Sequence, residues 1–126
     1  MKTNDVTLPQ IKALLRQSKF KAKKRLGQHF LINEEVLKCI TSAAELTPED
    51  VIVEVGPGLG ILTGRLAERV ARVISVELDS RLVSMLRRSL STYSNVSIIQ
   101  GDILKILPSQ LLEGPGQNYK VVANFP

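Results

Sequence analysis

With 126 residues, 44% of them hydrophobic, the chain is long enough for one domain with a modest core and too short for two. It holds no run of 18 apolar residues and no apolar signal segment at its start, which argues against a membrane span or export and makes a cytoplasmic, soluble protein the expectation. The net charge of +5 is lopsided: residues 1–33 hold eight basic residues against Asp5 alone, a net of +7, whereas residues 34–126 hold nine basic and eleven acidic residues, a net of −2. A basic arm beside a near-neutral body fits a polyanion binder, and equally a solvated tail. Cys39 and His29 are the single cysteine and the single histidine, so there is no disulfide framework and no metal is expected.

The first predicted element is a short amphipathic helix. Thr7 stands as N-cap, Pro9 in the first turn and Gln10 as the far side of a capping box, and Leu8, Ile11, Leu14 and Leu15 form an apolar stripe to about Ser18. Lys19 to Arg25 reads as loop, and Phe20 and Phe30 on either side of the basic run suit contact with nucleic acid. Asn33 is placed to cap a second helix with Glu34 and Glu35 in its first turn. Val36, Leu37, Ile40, Ala43 and Ala44 supply its buried face, where Cys39 is expected as an inert buried thiol. Thr47-Pro48-Glu49-Asp50 breaks that helix.

Val51, Ile52, Val53 and Val55 follow, too continuously apolar for a half-exposed strand and suited to the centre of a parallel sheet. The strand runs directly into Gly56-Pro-Gly-Leu-Gly60, where missing Cβ atoms allow a sharp turn and close approach of a ligand. The helix after it aims free N–H groups and a positive dipole end at whatever lies above the turn. The third glycine of G-x-G-x-x-G is absent, Ile61 standing in its place, and no phosphate loop of the G-x-x-x-x-G-K-[ST] type occurs. Alone, the turn fits a nucleotide-cofactor site or a structural bend.

Leu62, Leu66, Ala67 and Val70 make the next helical stripe, and Val73–Val76 the second strand. Asp79 or Ser80 caps a helix carrying Leu82, Val83, Leu86 and Leu90. Val96–Ile99 reads as a third strand, Pro108 to Glu113 as a short helix and Tyr119–Ala123 as a fourth strand. Alternation of this kind implies right-handed crossovers and a parallel sheet, with ligands bound beyond the carboxyl ends of the strands. The residues at those ends are the glycine turn, Glu77, Gly101-Asp102 and Asn124-Phe-Pro126. Glu77 lies 21 residues beyond Gly56, about where an acid takes ribose hydroxyls in nucleotide-binding α/β folds. Asp102 is suited to accept from an adenine amino group, and each acid also fits a helix cap. Their joint placement favours nucleoside binding.

In this order, Gly56 to Gly60, Glu77, Gly101-Asp102 and Asn124-Phe-Pro126 resemble the S-adenosylmethionine-dependent methyltransferases, the last being similar to the start of the Asn-hydrophobic-Pro-Tyr motif of enzymes that methylate an exocyclic amine. Lys23-Lys-Arg-Leu-Gly-Gln-His-Phe-Leu-Ile-Asn33 adds a more specific signature, and the set resembles the rRNA adenine N6,N6-dimethyltransferases over about residues 22–126. Glu54 to Gly60 favours the bacterial small-subunit branch, the macrolide-resistance methyltransferases of large-subunit rRNA being the alternative.

The resemblance implies an α/β, Rossmann-like class I methyltransferase fold, a parallel sheet with flanking helices, truncated after the fourth strand. Residues 1–33 would be a basic N-terminal arm with a short helix, and residues 34–126 an incomplete S-adenosylmethionine-binding domain. It places His29, Leu31, Gly56 and Gly58 by the methionyl end of the cofactor, Glu77 on the ribose hydroxyls and Asp102 on the adenine amino group. Asn124 would sit between cofactor and base. Phe125 and Pro126 complete the catalytic set, and Lys23, Lys24 and Arg25 would hold RNA phosphates. Glu54 is expected to support the site from behind, since a carboxyl in so apolar a strand needs partners. His29 stands where the family often has Asn, and Phe125 where it has Leu or Ile.

Adenine N6 is a poor nucleophile because its lone pair is delocalised into the ring. Acceptors at the Asn124 side chain and the Phe125 carbonyl would direct that lone pair at the sulfonium methyl, so catalysis is orientation and electrostatics for an in-line transfer. The base must first be extruded from its stack. The expected activity is dimethylation of adenine N6 in small-subunit (16S) rRNA, the partner being that RNA or the immature small subunit. Because the chain stops inside the amine-methylating motif, it is expected to be a fragment with weak activity or none. A dinucleotide-dependent oxidoreductase would share Glu77 but leave Asn124-Phe-Pro126 unexplained, and a non-enzymatic RNA-binding module would leave the strand-end motifs unexplained.

Overall fold

The computed structural model describes residues 34–114 and 116–123; the predicted helix over residues 7–18, the basic run and the Asn33 cap lie outside the described residues. Helices and strands alternate as α1 Glu34–Ala43, β1 Val51–Val55, α2 Ile61–Ala67, β2 Arg72–Glu77, α3 Ser80–Ser89, β3 Val96–Gln100, α4 Pro108–Leu111 and β4 Lys120–Ala123. The four strands pair in parallel in the order β3-β2-β1-β4, the α/β class expected. The second strand is longer than the sequence pattern indicated, so Glu77 is its last residue rather than the one after it, and α4 ends at Leu111, short of Glu113.

Apolar layers cover both faces of the sheet. Ile52, Val73 and Val122 meet Leu37 of α1 and Leu62 and Leu66 of α2. Val53, Val55, Ile74, Val76 and Val121 pack on the other side with Ile103 and Leu111. Val83 and Leu86 of α3, with Leu90 just beyond it, close over Ile98 of β3. Leu66 and Leu86 have no exposed surface, and side chains of this size contribute about 1.5–3 kcal/mol each when fully buried. Asn95 finishes α2 from outside, its Nδ2 donating to the carbonyls of Ala67 at 2.8 Å and Val70 at 3.1 Å. No described helix is long and apolar enough to cross a membrane.

Helix α1 corrects two readings of its sequence. Cys39 is exposed, and Val36 is 38% exposed. The buried seam is instead Leu37, Thr41 and Ala44, at helical spacings of four and three. At about 100° per residue Cys39 falls on the far side of the helix from Leu37. Thr41 is tolerated in the seam because its hydroxyl donates to the carbonyls of Leu37 at 3.0 Å and Lys38 at 3.2 Å.

One long-range contact fastens the last strand to the first helix. Lys120 Nζ, at the start of β4, donates to the carbonyls of Ala44 at 3.0 Å and Glu45 at 2.7 Å and to Asp50 Oδ2 at 2.9 Å. Glu45 ends the helical path with a left-handed φ of 49°, a conformation that costs a residue with a side chain roughly 1–2 kcal/mol. The ammonium on its carbonyl offsets that strain. Burial works to raise the Asp50 carboxyl, but Lys120 and the Thr47 N–H outweigh it and hold the group below its ordinary value.

Lys120→Met is therefore expected to lower stability by about 1–3 kcal/mol in urea denaturation at pH 7, the range for losing hydrogen bonds to a charged group. A carboxyl held low stabilises the fold above its unfolded pKa, and that contribution disappears as pH falls through its folded value. The gap between wild type and variant should narrow on acidification from pH 7 to pH 3; a constant gap would mean that Asp50 is not coupled to Lys120.

Candidate functional site

The chain leaves β1 at the point where strand order reverses: β2 and β3 lie on one side of it and β4 on the other. In open parallel sheets that reversal opens a crevice beyond the carboxyl ends of the strands. The register brings those ends level. Val55 pairs with Val76 and with Ala123, and Glu77 with Gln100. Gly56 N–H continues the ladder to the Val76 carbonyl at 3.0 Å, and Gly101 N–H to the Glu77 carbonyl at 2.9 Å.

The glycine turn occupies the centre of this edge. Gly56, Gly58 and Gly60 all have positive φ, 68°, 59° and 86°, values that residues with side chains adopt only with strain. The three glycines are not equivalent. A Cβ on Gly56 would meet nothing within 4 Å, so its surroundings are open to a ligand. A Cβ on Gly60 would lie 2.8 Å from Leu86 Cδ2, so there the missing side chain admits α3 instead. Helix α2 starts from Gly60 without a side-chain cap.

Glu77 and Asp102 stand on neighbouring strand ends and are tethered alike. Glu77 Oε2 accepts from the Asp79 N–H at 3.0 Å, and Asp102 Oδ1 from the Leu104 N–H at 2.9 Å. In each acid the second oxygen has no partner among the described residues. The cap of α3 is Asp79, whose side chain accepts from the Arg81 N–H at 2.8 Å, which removes the capping explanation for Glu77. Asp102 does brace a local turn, its own carbonyl accepting from the Lys105 N–H at 2.9 Å. Between Glu77 and Asp79, Leu78 is 59% exposed at the rim, a position that apolar periodicity does not single out.

Beneath the turn, Glu54 is 1% exposed. Its Oε1 accepts from the hydroxyls of Thr63 at 2.5 Å and Ser75 at 2.6 Å, both side chains fully buried. Burial pushes the Glu54 carboxyl up, further than the two hydroxyl bonds bring it down, and the nearby Glu77 charge adds to the rise. The sequence marked Glu54 as needing partners; its partners lie on α2 and β2 and carry no sequence signal of their own.

His29, Leu31, Lys23, Lys24, Arg25, Asn124, Phe125 and Pro126 lie outside the described residues. The last three follow β4 directly, and β4 ends at Ala123 opposite Val55, beside the turn. A separate shallow groove of about 280 Å³ is lined by Leu59, Ile61, Arg65, Leu90 and Tyr93 among others, and neither Glu77 nor Asp102 lines it.

The family model described as ribosomal RNA adenine dimethylase matches residues 19–126. A curated relative, the ribosomal RNA small subunit methyltransferase A of Dehalococcoides mccartyi, is 48% identical over 121 residues, which cover 94% of this chain and 40% of the relative. The chain thus spans well under half the length of that relative. Among solved structures, the 23S rRNA methyltransferase ErmE superposes with a TM-score of 0.68 at 35% identity, covering 77% of this chain and 37% of that one. An RNA methyltransferase from Salinibacter ruber in complex with S-adenosyl-L-homocysteine superposes with a TM-score of 0.55 at 25% identity, over 60% of this chain and 52% of that one.

The two ends of the turn predict different outcomes for the same substitution. Gly60→Ala adds a steric conflict with Leu86 to the cost of a positive φ, and is expected to destabilise the chain by about 2–4 kcal/mol. Gly56→Ala meets only the backbone cost, about 1–2 kcal/mol. Chemical denaturation of the two variants side by side checks the order, and a Gly56 variant at least as destabilised as the Gly60 variant would contradict it.

Proposed function

This chain belongs to the ribosomal RNA adenine dimethylase family, and from that premise we propose that its glycine turn and strand-end acids form the cofactor site of an S-adenosylmethionine-dependent enzyme that dimethylates adenine N6 in small-subunit rRNA. The observation that carries the reading is the levelled edge: an open glycine turn at the reversal of strand order, flanked by two acids that each keep one oxygen unpartnered among the described residues. Acceptors of this kind suit hydroxyl and amino donors. Glu77 takes the ribose hydroxyls and Asp102 the adenine amino group. Leu78, exposed between two acids, offers the purine an apolar face. The 48% identity to a small-subunit enzyme favours that target over the large subunit on which ErmE acts by name.

The bound cofactor supplies a methyl group activated on a sulfonium sulfur. The chain's own residues supply position. Gly56 and Gly58 let the backbone approach closely, with His29 and Leu31 on the methionyl end. Asn124 and Phe125, which follow β4 in the sequence, accept hydrogen bonds from the N6 hydrogens, which aligns the nitrogen lone pair for in-line attack. Pro126 belongs to the same catalytic set. Residues 34–126 form the cofactor-binding body in this reading. Residues 1–33 form a basic arm in which Lys23, Lys24 and Arg25 contact rRNA phosphates, so its contribution weakens with salt.

Calorimetric titration with S-adenosylhomocysteine is the direct test. Saturable binding is expected, with Glu77→Ala weakening it roughly 10- to 100-fold, the loss that follows removal of hydrogen bonds to a charged acceptor. A folded chain, checked by circular dichroism, that prefers NAD or binds neither ligand would refute the assignment.

A further inference from the structure

The site's least exposed acid is not at its surface. Glu54 is two residues before Gly56 on β1, Thr63 is the third residue of α2, and Ser75 is two residues before Glu77 on β2. One carboxyl oxygen therefore joins the strand entering the glycine turn, the helix leaving it and the strand that presents the neighbouring acid. We propose that Glu54 is a positioning residue for the crevice, acting through Thr63 and Ser75 to hold the glycine turn level with Glu77. The proposal rests on the crevice being the cofactor site.

A core that needed only to be filled would be better served by an apolar residue, since a buried polar group costs free energy unless it is hydrogen-bonded. Glu54 sits among apolar neighbours on its face of the sheet: Ile52 on its own strand, Val122 opposite it on β4 and Leu62 on α2. The polar groups that meet it among the described residues are Thr63, Ser75 and, nearby, the charge of Glu77. Such an environment disfavours the ionised form of the carboxyl. Its Oε1 accepts two hydroxyl protons, which an apolar side chain cannot do. The bond to Thr63 closes the turn on itself across nine residues, and loss of the Glu54 carboxyl leaves a buried hydroxyl without its partner on each of two elements.

Glutamine keeps an acceptor oxygen of the same reach, so Glu54→Gln is expected to bind S-adenosylhomocysteine within about threefold of wild type. Glu54→Ala and Thr63→Val should each bind at least tenfold more weakly. Amide hydrogen exchange on the unliganded variants supplies the second readout. In Glu54→Ala and Thr63→Val, the amides of Gly58 to Thr63 should exchange at least tenfold faster while those of β3 keep their rates. Exchange accelerated evenly across all strands, or a Gln variant as weak in binding as the Ala variant, overturns the positioning role. If wild type binds no S-adenosylhomocysteine, the cofactor reading fails, and the exchange pattern alone still decides whether Glu54 holds the turn.

Discussion

The chain must leave the buried central strand and enter a helix packed on that same strand within five residues, Gly56 to Gly60. No side-chain-bearing sequence makes that reversal cheaply, because three of the five positions take positive φ. Much else depends on this turn. It sets the entry angle of α2, and at Gly60 it lets α3 close in so that Leu86 seals the core. It also leaves an open backbone surface where the order of the described strands reverses. A requirement of folding and a requirement of binding thus fall on the same short segment, with the first concentrated at Gly60 and the second at Gly56.

The features that sequence reading captured are those whose physical cause is local. A β-branched run with no polar alternation describes a strand buried on both faces, and β1 is that strand. Glycines before a helical stripe describe the turn, and the family resemblance follows from the order of strand-end motifs. The side of α1 that faces the core was not legible. Val36, Leu37, Ile40, Ala43 and Ala44 span too wide an arc of the helix to show which part docks, and α2 decides it, leaving Val36 and Cys39 outward. Thr41 was hidden because its polarity is satisfied by its own helix backbone. Lys120 carried no signal at all, since the groups it binds stand 70 or more residues away in sequence. Leu78 was overlooked for the opposite reason: exposure, not periodicity, marks it.

Two kinds of acid serve the edge of the sheet, and environment separates them. Glu77 and Asp102 are partly exposed and each is braced by a backbone N–H two residues on, which restrains the side chain while keeping one oxygen available. Glu54 is sealed from water and braced by hydroxyls, and burial pushes it towards the neutral form. Burial thus weighs against a second fixed negative charge beneath the turn, close to Glu77.

That division bears on which ligands the edge can take. The excess positive charge of the sequence sits in residues 1–33, not in residues 34–126 that carry the crevice, so net charge there gives a pyrophosphate no added attraction. A nucleoside bearing hydroxyl and amino donors, with its charge carried by an amino-acid tail and a sulfonium, has the complementary polarity. The target amine of an adenine is a donor of the same sort. In the proposed reaction the crevice is therefore acceptor-rich from end to end: Glu77 and Asp102 fix one nucleoside by its donors, and Asn124 and Phe125 fix the other by the two hydrogens of the nitrogen that is to be methylated.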